Sequence, residues 1–264
     1  MTTSNVISGK VVDRIRPGTE VAGGFFRMCV LTGKALRRPF EWREFIWIGW
    51  FLMRVSLLPT IAVSIPETVL LIFTLNLLLA EIGAADVSGA GAAIGAVTQL
   101  GPIVTVLVVA GAGGTAICAD LGARTIREEI DALEVLGIDP IHRLVVPRVL
   151  GCGFVAMMLN GLVSMVGLVG GYIFGVYLQN VSGGAYLQTL TLITGLPEVV
   201  IATIKAAIFG TIAGLVGCYR GLTTKGGPKG VGVAVNETLV LCVIALFAVN
   251  VVLTTIGVRF GTGR

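Results

Sequence analysis

Long apolar runs separated by short polar stretches dominate the chain. Five of them, at about 55–80, 93–119, 149–178, 198–219 and 236–258, are long enough for a helix to cross bilayer hydrocarbon, which takes roughly 20 apolar residues. No charge occurs between Arg148 and Glu198. The third run spans 30 residues and would rise about 45 Å as a helix against about 30 Å of hydrocarbon, so it must tilt or protrude. Ahead of the first run, residues 20–36 interleave Val21, Phe25, Met28, Cys29, Leu31 and Leu36 with Arg27, Lys34, Arg37 and Arg38. That pattern predicts a helix lying in the membrane interface with snorkelling cations. Between runs two and three, Ile126, Ile130, Leu133 and Leu136 form one stripe of a helix over about 123–137. Arg127, Glu128, Asp131 and Glu134 surround its other face, and Gly137 followed by Pro140 supplies the stop. The expected fold is all-α and membrane-integral. A basic segment 1–54 carries the interfacial helix, and residues 55–264 form a five-span domain with a short helix between spans two and three.

Charge placement predicts orientation, because Lys and Arg resist translocation. The segment up to Arg54 has nine Lys/Arg, the 120–148 connection has Arg124, Arg127, Arg143 and Arg148, and the 220–230 connection has Arg220, Lys225 and Lys229. The connections at 81–92 and 179–197 have none. The basic connections therefore share one side, the cytoplasm, with the amino end inside and the carboxyl end outside a plasma (inner) membrane. Arg259 and Arg264 are mild exceptions. The basic amino-terminal stretch lacks a short apolar core with a small-residue cleavage site, so it does not read as a cleaved signal peptide.

Composition sharpens the class. Only 13 % of the 264 residues are charged and 55 % are hydrophobic, against roughly a quarter charged in a soluble domain, which excludes a water-soluble enzyme. The net charge of +4 sits in the connections, so nucleic acid is not an expected partner. Cys29, Cys118, Cys152, Cys218 and Cys242 occur singly, mostly within apolar runs, and read as packing residues. Glycines four apart recur at Gly91/Gly95, Gly167/Gly171, Gly171/Gly175, Gly210/Gly214 and Gly217/Gly221. Such spacing lets helices approach closely, within one subunit or between subunits.

Catalytic machinery is not evident. There is no G-x-x-x-x-G-K-[ST] run to cradle nucleotide phosphates, and Gly226-Gly227-Pro228-Lys229-Gly230 reads as a turn. The single histidine, His142, has no second imidazole or nearby cysteine, which argues against a metal centre or a histidine triad. Glu67 is about 12 residues, roughly 18 Å, into span one beside Pro66. An ionisable group at that depth is a functional candidate, as is Lys205 in span four. Together they would form the polar floor or gate of a cavity or a structural ion pair, or Lys205 would snorkel outward. Pro59 and Pro66 each remove a helical hydrogen bond and predict a kink or break. A proton- or ion-coupled secondary carrier using Glu67 and Lys205 is one functional expectation, and a non-transporting scaffold is another.

The segment Glu128-Glu129-Ile130-Asp131-Ala132-Leu133-Glu134-Val135-Leu136-Gly137-Ile138-Asp139-Pro140, running on to Arg143 and Val146-Pro147-Arg148, resembles the signature of MlaE/YrbE-family ABC-transporter permeases. Further anchors are Leu100-Gly101-Pro102, Ala110-Gly111, Ala119-Asp120-Leu121-Gly122, Lys205 before Phe209, Gly230-Val231-Gly232 and Ala234-Val235. The chain is most similar to the actinobacterial YrbE A-type subunits of Mce (mammalian cell entry) lipid transporters. The resemblance implies a non-catalytic inner-membrane subunit paired with a second permease, identical or different; the departures named below fit a heterodimer. It also implies MCE-domain proteins on the outer side and a cytoplasmic ATPase dimer that binds ATP and Mg and docks on the loop between spans two and three. Arg127, Glu128, Glu129, Ile130, Asp131, Leu133 and Glu134 are then the coupling residues, with Ile130 and Leu133 filling the motor's cleft. The implied cargo is fatty acids, mycolic acids or sterols, moved inward. Three positions depart from the family pattern: Gln99 stands for an acid, Ala112 for an arginine and Asn250 for an aspartate.

Overall fold

The computed structural model describes residues 19–37, 39, 41–83, 88–178, 182–193 and 195–261. Lys10, Arg14, Arg16, Arg38 and Arg264, which entered the charge count, lie outside them. Among the described residues there is helix and no strand, as expected where no water can satisfy the backbone. Among the described residues, five helices have the length and apolarity to cross a membrane: Trp42–Leu79, Gly89–Ile126, Ile141–Leu178, Glu198–Leu222 and Gly227–Thr255. The expected five spans are present, and each reaches beyond its apolar run.

The excess is greatest in span one, whose helix Trp42–Glu81 has 40 residues and rises about 60 Å. It starts well ahead of position 55 and exposes Trp42, Trp47 and Trp50, a residue type enriched at the membrane–water boundary. The helix is unbroken at Pro59 and Pro66, which overturns the break those prolines suggested. Hydroxyls take up carbonyls in the same turns: Thr60 donates to Ser56 O and Thr68 to Ser64 O, each at 2.7 Å.

Span two is the most enclosed, and spans one and five are the most exposed. Its α-helical stretches Ser88–Ala93, Gly101–Val108 and Thr115–Ile126 alternate with wider π-helical turns at Ile94–Leu100 and Val109–Gly114. Span four reaches it through glycine. A Cβ on Gly217 would stand 2.5 Å from Gly114 O, and one on Gly221 2.7 Å from Leu121 Cβ. On the same helix, Gly210 and Gly214 abut span three, at 2.6 Å from Cys152 O and 3.1 Å from Val149 Cα. These glycine pairs are packing seams within the chain, and buried Cys118, Cys152, Cys218 and Cys242 fill the same layer as free thiols.

Two further helices close the ends. Thr19–Ala35 lies against the basic end, with Met28 in the main core and the Phe25 ring edge-on to Tyr219 at 5.6 Å. At the opposite end, where the 179–197 connection was expected to be plain loop, helix Gly183–Ile193 forms. Its fully buried Tyr186 packs on Ile72 and meets Tyr172 with ring centroids 5.7 Å apart.

Candidate functional site

Span two ends at Ile126, and Glu128 takes a left-handed backbone with φ 58°. A separate helix of 7 residues, Glu129–Val135, follows. The continuous helix expected over 123–137 is therefore broken, at a residue type that usually avoids this conformation. The break turns the apolar stripe out of line. Ile130 and Leu133 pack against the main core, whereas Val135 is 88 % and Leu136 72 % exposed. Ile130 and Leu133, expected to fill a motor's cleft, are half-buried against the chain's own core, and Val135 and Leu136 project. Glu128 and Asp131 are exposed, Glu134 is half-buried, and Glu129 turns toward arginines. Gly137, at φ 75°, ends the helix. Its N–H donates to Glu134 O and that of Ile138 to Leu133 O, each at 3.0 Å, satisfying the last carbonyls.

A chain of charge runs behind this segment. Arg127 Nε donates to Glu129 Oε1 at 2.7 Å, and Arg124 Nη1 stands 4.0 Å from Glu129 Oε2. Arg124 Nε donates to Asp120 Oδ1 at 3.2 Å, and Arg148 Nη2 to Asp120 Oδ2 at 2.5 Å. Arg148, at the foot of span three, is 1 % exposed, and its Nη1 donates to Leu144 O at 2.9 Å. A cavity of about 70 Å³, lined by Trp47, Ile48, Phe51 and Ile117, adjoins this pair. At the same end Arg143 pairs with Glu41 at 2.9 Å, and Arg220 pairs with Glu237. His142 Nε2 lies 3.1 Å from Pro39 O, on the linker ahead of span one.

The membrane candidates do not converge within the chain. Glu67 and Pro66 are exposed on span one. Lys205 is buried and donates to Thr254 Oγ1 on span five at 2.8 Å, and that hydroxyl lies 3.5 Å from Asn250 Oδ1. Among the described residues no ion pair joins Glu67 to Lys205. One candidate faces out from the bundle and the other sits in the seam between spans four and five, where Asn250 brings no carboxylate to the hydrogen-bond chain that starts at Lys205.

A family model described as Permease MlaE matches residues 46–256. The chain belongs to the MlaE permease family. A probable ABC transporter permease protein of Synechocystis is 36 % identical over 181 residues, 69 % of this chain and 68 % of that protein. One of Rickettsia typhi is 35 % identical over 156 residues, 59 % of this chain and 60 % of that protein. Protein TRIGALACTOSYLDIACYLGLYCEROL 1, chloroplastic, of Arabidopsis thaliana is 32 % identical over 157 residues, 60 % of this chain and 45 % of that protein. The matches cover from under half to about two thirds of these relatives' lengths. This MlaE permease is a non-catalytic, multi-pass membrane component of an ABC transporter, and it works with a partner ATPase.

Asp120 and Arg148 are the residues that sequence reasoning did not assign a role. Both appear in the family motifs, but 28 positions separate them, so only the packing of spans two and three reveals the pair. The one visible signal is that each is a charge at the end of an apolar run.

Proposed function

We propose that this permease is the membrane half of an ATP-driven, Mce-type lipid transporter in the inner membrane, with its amino end in the cytoplasm. A second YrbE-type permease completes the membrane unit, MCE-domain proteins extend it on the outer side, and the cargo is a fatty acid, mycolic acid or sterol moved inward. Support for lipid cargo comes from the Arabidopsis relative, whose name refers to a glycolipid. The observation that carries the ATPase-coupled reading is the segment Glu129–Val135: a short helix between two spans, at the basic end, projecting Val135 and Leu136 beside Glu128 and Asp131. Apolar anchors rimmed by carboxylates suit a groove on a soluble motor. ATP and Mg bind on that motor, whose closure moves the segment and, through it, the spans.

Purification of the tagged chain from native membranes tests this. The wild-type chain should bring an ATPase with it. Val135→Asp with Leu136→Asp, or Glu128→Lys with Asp131→Lys, should lose the ATPase while the permease still inserts. Unchanged co-purification in both double variants overturns the docking assignment.

A further inference from the structure

The coupling segment is joined to span two by a backbone break, yet its charges reach span three. Glu129 bridges that break, with Arg127 on one carboxylate oxygen and Arg124 near the other. Arg124 shares Asp120 with Arg148, and Arg148 is buried with its second nitrogen on the Leu144 carbonyl. We infer that Glu129, Arg124, Asp120 and Arg148 form the linkage that transmits displacement of the coupling segment to the foot of span three. This inference rests on the docking reading above and adds to it the route by which the motion enters the membrane.

Three features of the geometry support a linkage over a static brace. The i to i+4 ladder is interrupted at Glu128, so Glu129–Val135 is not a rigid extension of span two and is held through Ile130, Leu133 and the Glu129 contacts instead. Guanidinium–carboxylate contacts resist separation but slide, since Arg offers five donors and Asp120 accepts from two arginines on different oxygens. Finally, the cavity beside Asp120 and Arg148 lies where spans one, two and three meet, so the foot of span three has room to shift with the pair. Arg148 cannot release Asp120 unless another group satisfies its charge in that buried place, so movement of Asp120 must carry Arg148, and Leu144 with it. Two other arginines near this end pair elsewhere, Arg143 with Glu41 and Arg220 with Glu237.

Hydrogen–deuterium exchange on the complex of permease and ATPase in detergent reads this without knowledge of the cargo. In the wild type, Mg-ATP with vanadate should change amide exchange both at 129–136 and at 144–150, by about five-fold or more, the scale of ordinary site-to-site coupling. Asp120→Asn should keep the first response and lose the second, with the ATPase still bound. Arg124→Gln, which leaves the Asp120–Arg148 pair in place, should do the same, and it carries the test if Asp120→Asn fails to insert. A purely structural role would lower melting temperature yet leave both responses coupled in the surviving complex. The inference is overturned if residues 144–150 do not respond in the wild type, or respond equally in Arg124→Gln. Failure of the wild-type chain to bring down an ATPase at all would instead overturn the docking reading.

Discussion

Gly217 and Gly161 share a residue type and a helical backbone but not surroundings. A Cβ on Gly217 would meet the Gly114 carbonyl of span two, whereas one on Gly161 would meet nothing within 4 Å. Gly217→Ala should therefore cost about 1–3 kcal/mol through forced separation of spans two and four, read as a lower melting temperature in detergent. Gly161→Ala should be neutral or raise it, since alanine is favoured over glycine in a helix by about 1 kcal/mol. Tyr186 offers a second contrast. Its hydroxyl is buried with no hydrogen-bond partner among the described residues, so Tyr186→Phe should preserve or raise stability. Tyr186→Ala should lose about 3 kcal/mol or more of packing. Burial pushes the Tyr186 phenol up to about 12, against about 10 unfolded. The fold thus favours the neutral form, and this contribution is intact below about pH 10 and lost as pH rises toward 12. Tyr186→Phe should flatten that alkaline loss in a melting-temperature series.

Elements were legible in the sequence wherever length and apolarity decide them, and illegible where three-dimensional packing does. All five spans follow from their runs, because a bilayer demands some 20 apolar residues whatever the contacts. The coupling helix was legible in place but not in form. Ile126, Ile130, Leu133 and Leu136 keep helical spacing across the break, and Glu128 is not a residue that announces a left-handed turn. Reading them as one stripe missed that Ile130 and Leu133 pack on the core while Leu136 projects. Helix Gly183–Ile193 was missed because its 11 residues are too few for a span and open on two glycines, the residue type that disfavours helix. At this scale, Ile130→Ala should loosen the coupling segment from the core and lower its protection from exchange, while leaving ATPase binding to Val135 and Leu136. Loss of ATPase binding in Ile130→Ala, with protection unchanged, would place Ile130 in the docking face after all.

For the molecule as a whole, energy and pathway are divided. The chain has no nucleotide-binding run, and Glu67 and Lys205 are not assembled into a relay within it. In sealed vesicles the purified chain alone should move no fluorescently labelled phospholipid or fatty acid, and flux should begin only when its ATPase and Mg-ATP are added. Flux from the chain alone would restore the carrier mechanism. The wide turns in span two give this division a built-in asymmetry. Each π-helical turn closes over one more residue than an α-turn, so Ile94–Leu100 and Val109–Gly114 hold surplus chain that Gly101–Val108 lacks. Removing Ala112 should let its turn tighten while the flanking helices keep their azimuth. Removing Val104 should spin everything downstream by about 100°, swinging the Asp120 carboxylate away from Arg148. Span two is thus tolerant of shortening at its wide turns and intolerant between them.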